Sequence, residues 1–334
     1  MKPIIIAFFN NKGGVGKTTT VYHLAHMFPQ IGYPTLAVDL DPQANLTSAF
    51  FNEEEITKRL ENPITGENIY SCIEPIIKGI GDIHEPKPIK ITDGLFLVAG
   101  DLNLSLFEDK LSDAWPRNYE GREDALRITT AFYRIMLKAA ESSESRIVLV
   151  DIGPNLGAIN RAVILSSDYL VVPMAVDLFS LQGLQNLGPT IRNWRGYWQT
   201  ISQRNPNPPI PIPSGRMEPS GYVVLQHAVR LDRPVLSYER WLNRIPEEYR
   251  HSVLNSDEKK EVKLSEDHNC LAQLRHYRSL MPMAHDARKP VFNLQPADGA
   301  IGGHIQLVKM AREEFKTLAE AILEKCSISE SYPN

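Results

Sequence analysis

Cysteine is scarce in this chain of 334 residues: Cys72, Cys270 and Cys326 lie far apart, with no CxxC pair and no histidine at metal-ligand spacing. A disulfide scaffold and a cysteine-held metal site are therefore not expected, and the pattern fits a reducing compartment. Long hydrophobic runs are missing too. No apolar stretch approaches the roughly 20 residues that span a bilayer. Met1-Lys2-Pro3 leads straight into the short run Ile4–Phe9 without a small-residue cleavage site, so a signal peptide is not expected either. Nor is there a strong charge of one sign. The formal net charge of −4 does not mark a polyanion binder, although an average can hide a patch. Residues 190–290 hold 16 Lys and Arg against 11 Asp and Glu, a locally basic stretch in a more acidic remainder. Hydrophobic residues make up 43% of the chain, ample for the core of one large α/β domain.

Short β-branched runs alternate with helical patterns, the signature of a parallel sheet wound with helices on both faces. Strands are predicted over 4–9, 35–38, 95–99, 147–150, 169–172, 222–225 and 291–294. Helices are predicted over 17–27, 124–140, 158–166, 181–198 and 304–323. The run Ile147–Val150 is apolar throughout, as suits a strand covered on both faces. Residues 52–94 and 204–288 interrupt the rhythm. The first is charged and expected to cover an edge of the core. The second opens with the Pro-rich stretch 204–219, an extended linker, and is read as mostly helical from 226. The expected organisation is one domain over 1–334 carrying these two insertions, without internal repeats.

The strongest motif is Asn11-Lys12-Gly13-Gly14-Val15-Gly16-Lys17-Thr18-Thr19, directly after the first strand and opening a helix. Glycines let backbone N–H groups turn inward around phosphates, and the helix N-terminus adds favourable partial charge. Lys17 is placed to neutralise β- and γ-phosphates, and the Thr18 hydroxyl to ligate Mg²⁺. Two further carboxylate signals follow. Asp39 and Asp41 close the second strand in Asp39-Leu40-Asp41-Pro42-Gln43-Ala44-Asn45, and Asp151 ends the apolar run at 147–150. Carboxylates beside a phosphate loop hold magnesium waters and orient an attacking water; Asp-x-Asp by itself could equally cap a helix.

The glycine loop departs from the strict phosphate-loop pattern, with Asn11 where glycine is usual and Lys12 after it. In this form it resembles the deviant Walker A box of the ParA/MinD family of P-loop ATPases, and D-x-D-P-Q-x-N resembles the ParA switch I. The likeness extends over roughly 1–51, 95–200, 221–226 and 287–325. It implies an ATPase using ATP and Mg²⁺, with Gly13 to Thr19 around the phosphates and Thr18, Asp39 and Asp151 around the metal. It also implies that Asp41 positions water, that Lys12 reaches across a homodimer to the partner's nucleotide, and that the region of Pro296 lies by the adenine. Turnover is then expected to be slow until a ParB-like or other protein stimulates it. Gly153 stands where the family has proline, which would loosen the switch II loop, and Asp177 stands where Glu is usual.

The absence of cysteine between 73 and 269 argues against the iron–sulfur branch of that class. The final helix is acidic on balance, unlike the basic amphipathic helix of membrane-binding relatives, so no membrane contact is expected. With the first strand starting near residue 3, an N-terminal helix-turn-helix is not expected either. Two functions stay open. In one, an ATP dimer binds DNA non-specifically and positions it or other cargo, using Arg192, Arg195, Arg204, Arg230, Arg233, Arg240, Arg244, Arg275, Arg278, Arg288 and Lys289. In the other, the insertion docks a protein partner and DNA is not bound. Trp194, Tyr197, Trp198 and Trp241 are read as core residues, not base-stacking platforms. The expected location is the cytoplasm, on the nucleoid if DNA is the cargo.

Overall fold

The computed structural model describes residues 2–225, 235–258, 261–277 and 279–328. Eight strands form one sheet: β1 (Ile4–Phe8), β2 (Thr35–Leu40), β3 (Ile89–Thr92), β4 (Leu95–Val98), β5 (Ile147–Ile152), β6 (Tyr169–Ala175), β7 (Glu218–Leu225) and β8 (Cys270–Leu274). Their order is β3-β4-β2-β5-β1-β6-β7-β8. All neighbours are parallel except β3, which runs antiparallel to β4 at one edge. The sheet is therefore doubly wound, as the alternating pattern implies.

The helices are α1 (Lys17–Gln30), α2 (Asn45–Phe50), α3 (Glu53–Glu61), α4 (Ile69–Lys78), α5 (Phe107–Arg117), α6 (Glu123–Thr129), α7 (Ala131–Ser142), α8 (Ala158–Ser166), α9 (Leu178–Arg204), α10 (Val235–Leu242), α11 (Ile245–Glu248), α12 (Leu280–Ala287) and α13 (Gly303–Lys325). Successive β1 residues feed opposite faces, as a period of two requires. Ile5 and Ala7 join a core with Phe132, Ile164 and Leu184 from α7, α8 and α9. Ile6 and Phe8 join a second core with Leu24, Phe28, Phe315 and Leu318 from α1 and α13. Trp194 and Trp198 are buried in the first core, and the Trp198 indole donates to Pro213 O at 2.8 Å.

Two readings need correction, a helix over 271–279 within the stretch taken as mostly helical and the strand over 291–294. Residues 271–279 carry Leu271 and Leu274 at helical spacing, yet 270–274 form edge strand β8 beside β7. A short apolar run of this kind satisfies both periods, and sheet pairing decides between them. Conversely, 291–294 is not a strand: Val291–Asn293 is a single 3₁₀ turn. Its apolar side chains pack on α1 and α13, and Val291 N–H donates to His23 Nε2 at 3.2 Å. Among the described residues the stretch from 226 thus supplies a strand to the sheet beside its helices. Residues 52–94 do lie at the β4 edge, contributing α3, α4 and β3.

Candidate functional site

β2, β5 and β1 are adjacent and parallel, so their carboxyl ends open along one edge of the sheet. Asp39 and Asp151 are direct partners across β2 and β5, and Phe8, beside the loop, pairs with Asp151. Three motifs far apart in sequence are brought to one place by this strand order.

The loop after β1 needs residues that tolerate left-handed backbone, and Gly14 and Gly16 have φ of 72° and 75°. A Cβ at Gly16 would collide with Leu225 Cδ2. No side chain caps α1, so its first amides suit an anion. Lys17 is buried, and its ammonium donates to Asn10 O and Lys12 O at 3.3 Å each. Burial lowers its pKa, while Asp151 and Asp41 act to raise it. Val15 is buried below the loop.

The carboxylates divide into a held one and an open one. Asp39 Oδ2 accepts from Thr47 N–H at 2.8 Å and from Thr47 Oγ1 at 2.7 Å. Burial pushes it up to about 6 despite these bonds. Asp151 Oδ2 accepts from Thr18 Oγ1 at 2.6 Å, but its buried Oδ1 has no hydrogen-bond partner. Burial, reinforced by Asp39, pushes Asp151 up to about 8. A buried carboxylate with an orphan oxygen beside a hydroxyl and a second carboxylate is a set of hard oxygen donors, which suits Mg²⁺. Asp41 lies on the rim of the adjoining cavity and accepts from Gln43 N–H at 3.0 Å.

That cavity holds about 540 Å³. One wall is Gly13, Gly14, Gly16 to Thr20, Asp41, Gln43, Asn45 and Pro154; the other is Leu225, Leu274, Arg275, His276, Tyr277, Met281 and Phe315. The second wall was not foreseen. Tyr277 is fixed by its hydroxyl, which donates to Glu314 Oε2 at 2.6 Å, and Glu314 also pairs with Arg275 at 2.9 Å. No motif marks these residues, because they come from β7, β8 with the residues after it, α12 and α13, and meet the phosphate loop only through packing. Pro296 opens a 3₁₀ turn elsewhere and is not among the cavity-lining residues.

Lys12 does not face the cavity. Its ammonium pairs with Asp177, which also caps α9 by accepting from Ser180 N–H at 2.9 Å. Burial would raise the Asp177 pKa, but Lys12 and Ser180 hold it below the usual carboxylate range. The loop after Asp151 is held despite Gly153: buried Asn160 donates to Gly153 O at 2.8 Å and to Asn155 O at 2.5 Å. A Cβ at residue 153 would lie 3.3 Å from Asp41 Oδ1, so glycine admits the loop close to Asp41.

The basic candidates are largely engaged within the chain. Arg192, Arg195, Arg204 and Arg288 donate to the carbonyls of Ser252, Met217, Tyr119 and Ser48. Arg275 and Lys289 pair with Glu314 and Asp298, and Arg240 and Arg244 lie over the Trp241 ring. Arg230, Arg233 and Arg278 fall outside the described residues. Among the described residues no helix is long and apolar enough to cross a membrane.

The chain is similar to known proteins over much of its length. A family model described as an AAA domain matches residues 3–201. The chromosome partitioning protein ParA of Caulobacter vibrioides is 28% identical over 193 residues, 58% of this chain and 63% of that protein. The sporulation initiation inhibitor Soj of Bacillus subtilis is 28% identical over 188 residues, 56% of this chain and 64% of Soj. The chain thus spans less than two thirds of either relative. A candidate plasmid partition protein from Borrelia burgdorferi, solved with AMPPNP, superposes with a TM-score of 0.58 at 20% identity, covering 97% of this chain and 100% of that one.

Proposed function

The chain belongs to the ParA family of P-loop ATPases, and from that premise we propose that it is an ATP-hydrolysing dimerisation switch that positions DNA or other cargo. The observation that carries this reading is the convergence of Lys17, Thr18 and Asp41 on one wall of a nucleotide-sized cavity, with buried Asp151 accepting from Thr18 behind that wall. Lys17 and the Gly13–Thr19 amides bind the β- and γ-phosphates of ATP. Thr18 and Asp151 hold Mg²⁺ while Asp39, gripped by Thr47, supports them. Magnesium, when bound, neutralises charge on the phosphate oxygens. Asp41 orients the attacking water. In this reading the base packs against the Leu274–Tyr277 wall of the cavity.

Lys12 completes the site of a second copy in a homodimer. In the single chain it is docked on Asp177, so dimerisation must exchange that carboxylate for the partner's phosphates. An isolated chain with Lys12 so held hydrolyses slowly, and a stimulating protein of ParB type accelerates it. Sedimentation with ATP, ADP or no nucleotide tests the switch. Dimers are expected only with ATP, persisting in Asp41→Ala and missing in Lys12→Ala although nucleotide still binds. An ATP dimer that survives Lys12→Ala sinks the cross-interface role.

Likeness to partition proteins supports DNA as cargo. A second reading, a switch acting on a protein partner without DNA, is favoured by one observation: the described candidate arginines are spent on carbonyls, carboxylates and a Trp ring of the same chain. Binding of Asp41→Ala to non-specific duplex DNA over a salt series separates them. ATP-dependent binding that weakens steeply with salt supports the first; no binding by an intact ATP dimer supports the second.

A further inference from the structure

The loop that follows Asp151 is short and has little packing of its own. Five residues, Gly153 to Gly157, separate β5 from α8, and Pro154 and Asn155 are exposed. Yet this loop stands between two parts of the site. A Cβ at Gly153 would lie 3.3 Å from Asp41 Oδ1, and one at Gly13 would lie 4.0 Å from Pro154 Cγ. The position of the loop therefore sets what faces Asp41 and the phosphate loop, and groups outside the loop must fix that position.

The loop is tied to the first turn of α8. Buried Asn160 donates to Gly153 O at 2.8 Å and to Asn155 O, and Gly157 N–H donates to Asn155 Oδ1 at 2.9 Å. The loop moves, then, with the start of α8. The N-cap there is Gly157, which offers no side-chain acceptor, although the first amides of a helix need one. The acceptor comes from another helix. Glu108, in the first turn of α5, takes the Ala158 N–H on Oε1 and the Ile159 N–H on Oε2, the latter at 2.9 Å. Two charge-assisted bonds to one carboxylate fix direction as well as distance, and the positive end of the helix favours that charge. One turn on, Arg161 lies 4.2 Å from the centroid of the Trp115 ring of α5, within electrostatic reach of Glu108.

α5 is a fixed base for this contact. Phe107, Leu111 and Ala114 are buried, with Phe107 edge-on to Phe132 of α7 at 5.5 Å between ring centroids. Ala158 and Ile159 of α8 join the same core. The chain leaves room for the carboxylate. A Cβ at Gly157 would lie 2.6 Å from Glu108 Oε1 and 2.8 Å from Asn155 Oδ1. Gly157 sits at φ −75°, which any residue adopts, so it is the closeness of those acceptors that favours glycine here. Support thus runs from the core through α5 and Glu108 to α8, and through Asn160 to the loop beside Asp41.

We propose that Glu108 is a positioning residue for ATP hydrolysis: it clamps the start of α8 to α5 and so holds Gly153 and Pro154 beside Asp41 and Gly13. The catalytic half rests on the ATPase reading above; the clamp does not. The test compares the full chain with Glu108→Gln, Glu108→Ala and the double variant Glu108→Ala with Gly157→Ser. In the double variant the serine caps α8 from its own chain, in the space that the glutamate leaves. Without nucleotide, hydrogen exchange over 153–161 is expected to quicken about tenfold in Glu108→Ala while 12–20 stays unchanged. Glu108→Gln, which keeps the volume and one acceptor, should lie between. With ATP and Mg²⁺, kcat should fall about tenfold in Glu108→Ala, since a small displacement at a reacting centre costs this much or more. KM should stay within about twofold, because Lys17 and the phosphate-loop amides are untouched. The double variant should regain the melting temperature that Glu108→Ala loses and keep the low kcat, its helix capped but no longer tied to α5. Exchange over 153–161 that is unchanged in Glu108→Ala overturns the clamp. Recovery of kcat along with melting temperature in the double variant makes Glu108 a helix cap only and overturns the positioning role, as does a raised KM at unchanged kcat. Faster exchange in Glu108→Ala, in a protein whose wild type never hydrolyses ATP, supports the clamp while the ATPase reading and the catalytic half fail.

Discussion

The two walls of the nucleotide cavity are built in opposite ways. The phosphate wall is made of consecutive residues in a glycine loop plus Asp41, with Asp151 buried behind Thr18, and the ionisable groups there are left poorly satisfied: Asp151 Oδ1 has no partner and Lys17 reaches only carbonyls. The opposite wall, Leu274 to Tyr277 with Met281 and Phe315, comes from distant elements and is already paired, with Tyr277 and Arg275 both tied to Glu314. Unsatisfied charge is what a charged ligand completes; a satisfied, largely apolar wall contributes shape. The first wall should decide whether the protein binds and turns over a nucleotide, the second which base it prefers.

This contrast breaks if substitutions on the two walls act alike. The largest effect is expected from Asp41→Ala, which should lower the ATP turnover number by ~10²–10³ while ATP affinity by calorimetry is retained. Lys17→Ala should weaken ATP and GTP equally, by ~10²-fold, since charge-assisted bonds contribute about 1.5–3 kcal/mol each. Unequal losses would mean that Lys17 also reads the base. Tyr277→Ala should instead weaken ATP by about three- to tenfold, an aromatic contact contributing ~0.5–1.5 kcal/mol, and shift the ATP-to-GTP ratio. An unchanged ratio removes this wall from base selection.

Two further tests use buried titratable groups on α1 and β5. His23 is held neutral, Nδ1 on Thr19 O at 2.7 Å and Nε2 accepting from Val291 N–H, and burial lowers its pKa to about 4. Its folded pKa lies below its unfolded value, so this stability is present above about pH 6.5 and lost as pH falls through about 4. The loss should reach ~3 kcal/mol, read from urea unfolding, and a His23→Gln variant should show a flatter profile. Asp151 has the opposite sign: its pKa is raised to about 8, so the nucleotide-free protein is penalised as pH rises through that value. Asp151→Asn should therefore raise the melting temperature of the nucleotide-free protein by a few degrees, about 1 kcal/mol, and abolish Mg²⁺-dependent hydrolysis. A lowered melting temperature would show that the carboxylate is stabilising after all.

The legible part of this molecule was local. Gly13 to Thr19 lie in a single stretch between a strand and a helix, so composition alone sets their backbone and their chemistry. Asp39, Asp41 and Asp151 were legible because each ends or follows an apolar run, and parallel strands bring such ends to one edge. What stayed hidden depended on non-local pairing. The run 270–274 satisfied two periodicities at once and became a strand only because β7 offered it hydrogen bonds. The run 291–294 had strand composition but became a turn packed on α1. Lys12 was identifiable, its docking on Asp177 was not, because the two residues meet only through the packing of α9 beside the loop. Backbone conformation and charge placement in the phosphate loop were determined by the sequence, through glycine's freedom at positive φ and the fixed alternation of strands. The second wall of the cavity and the engagement of the arginines were decided by tertiary structure, because each is a meeting of side chains that chain order does not record.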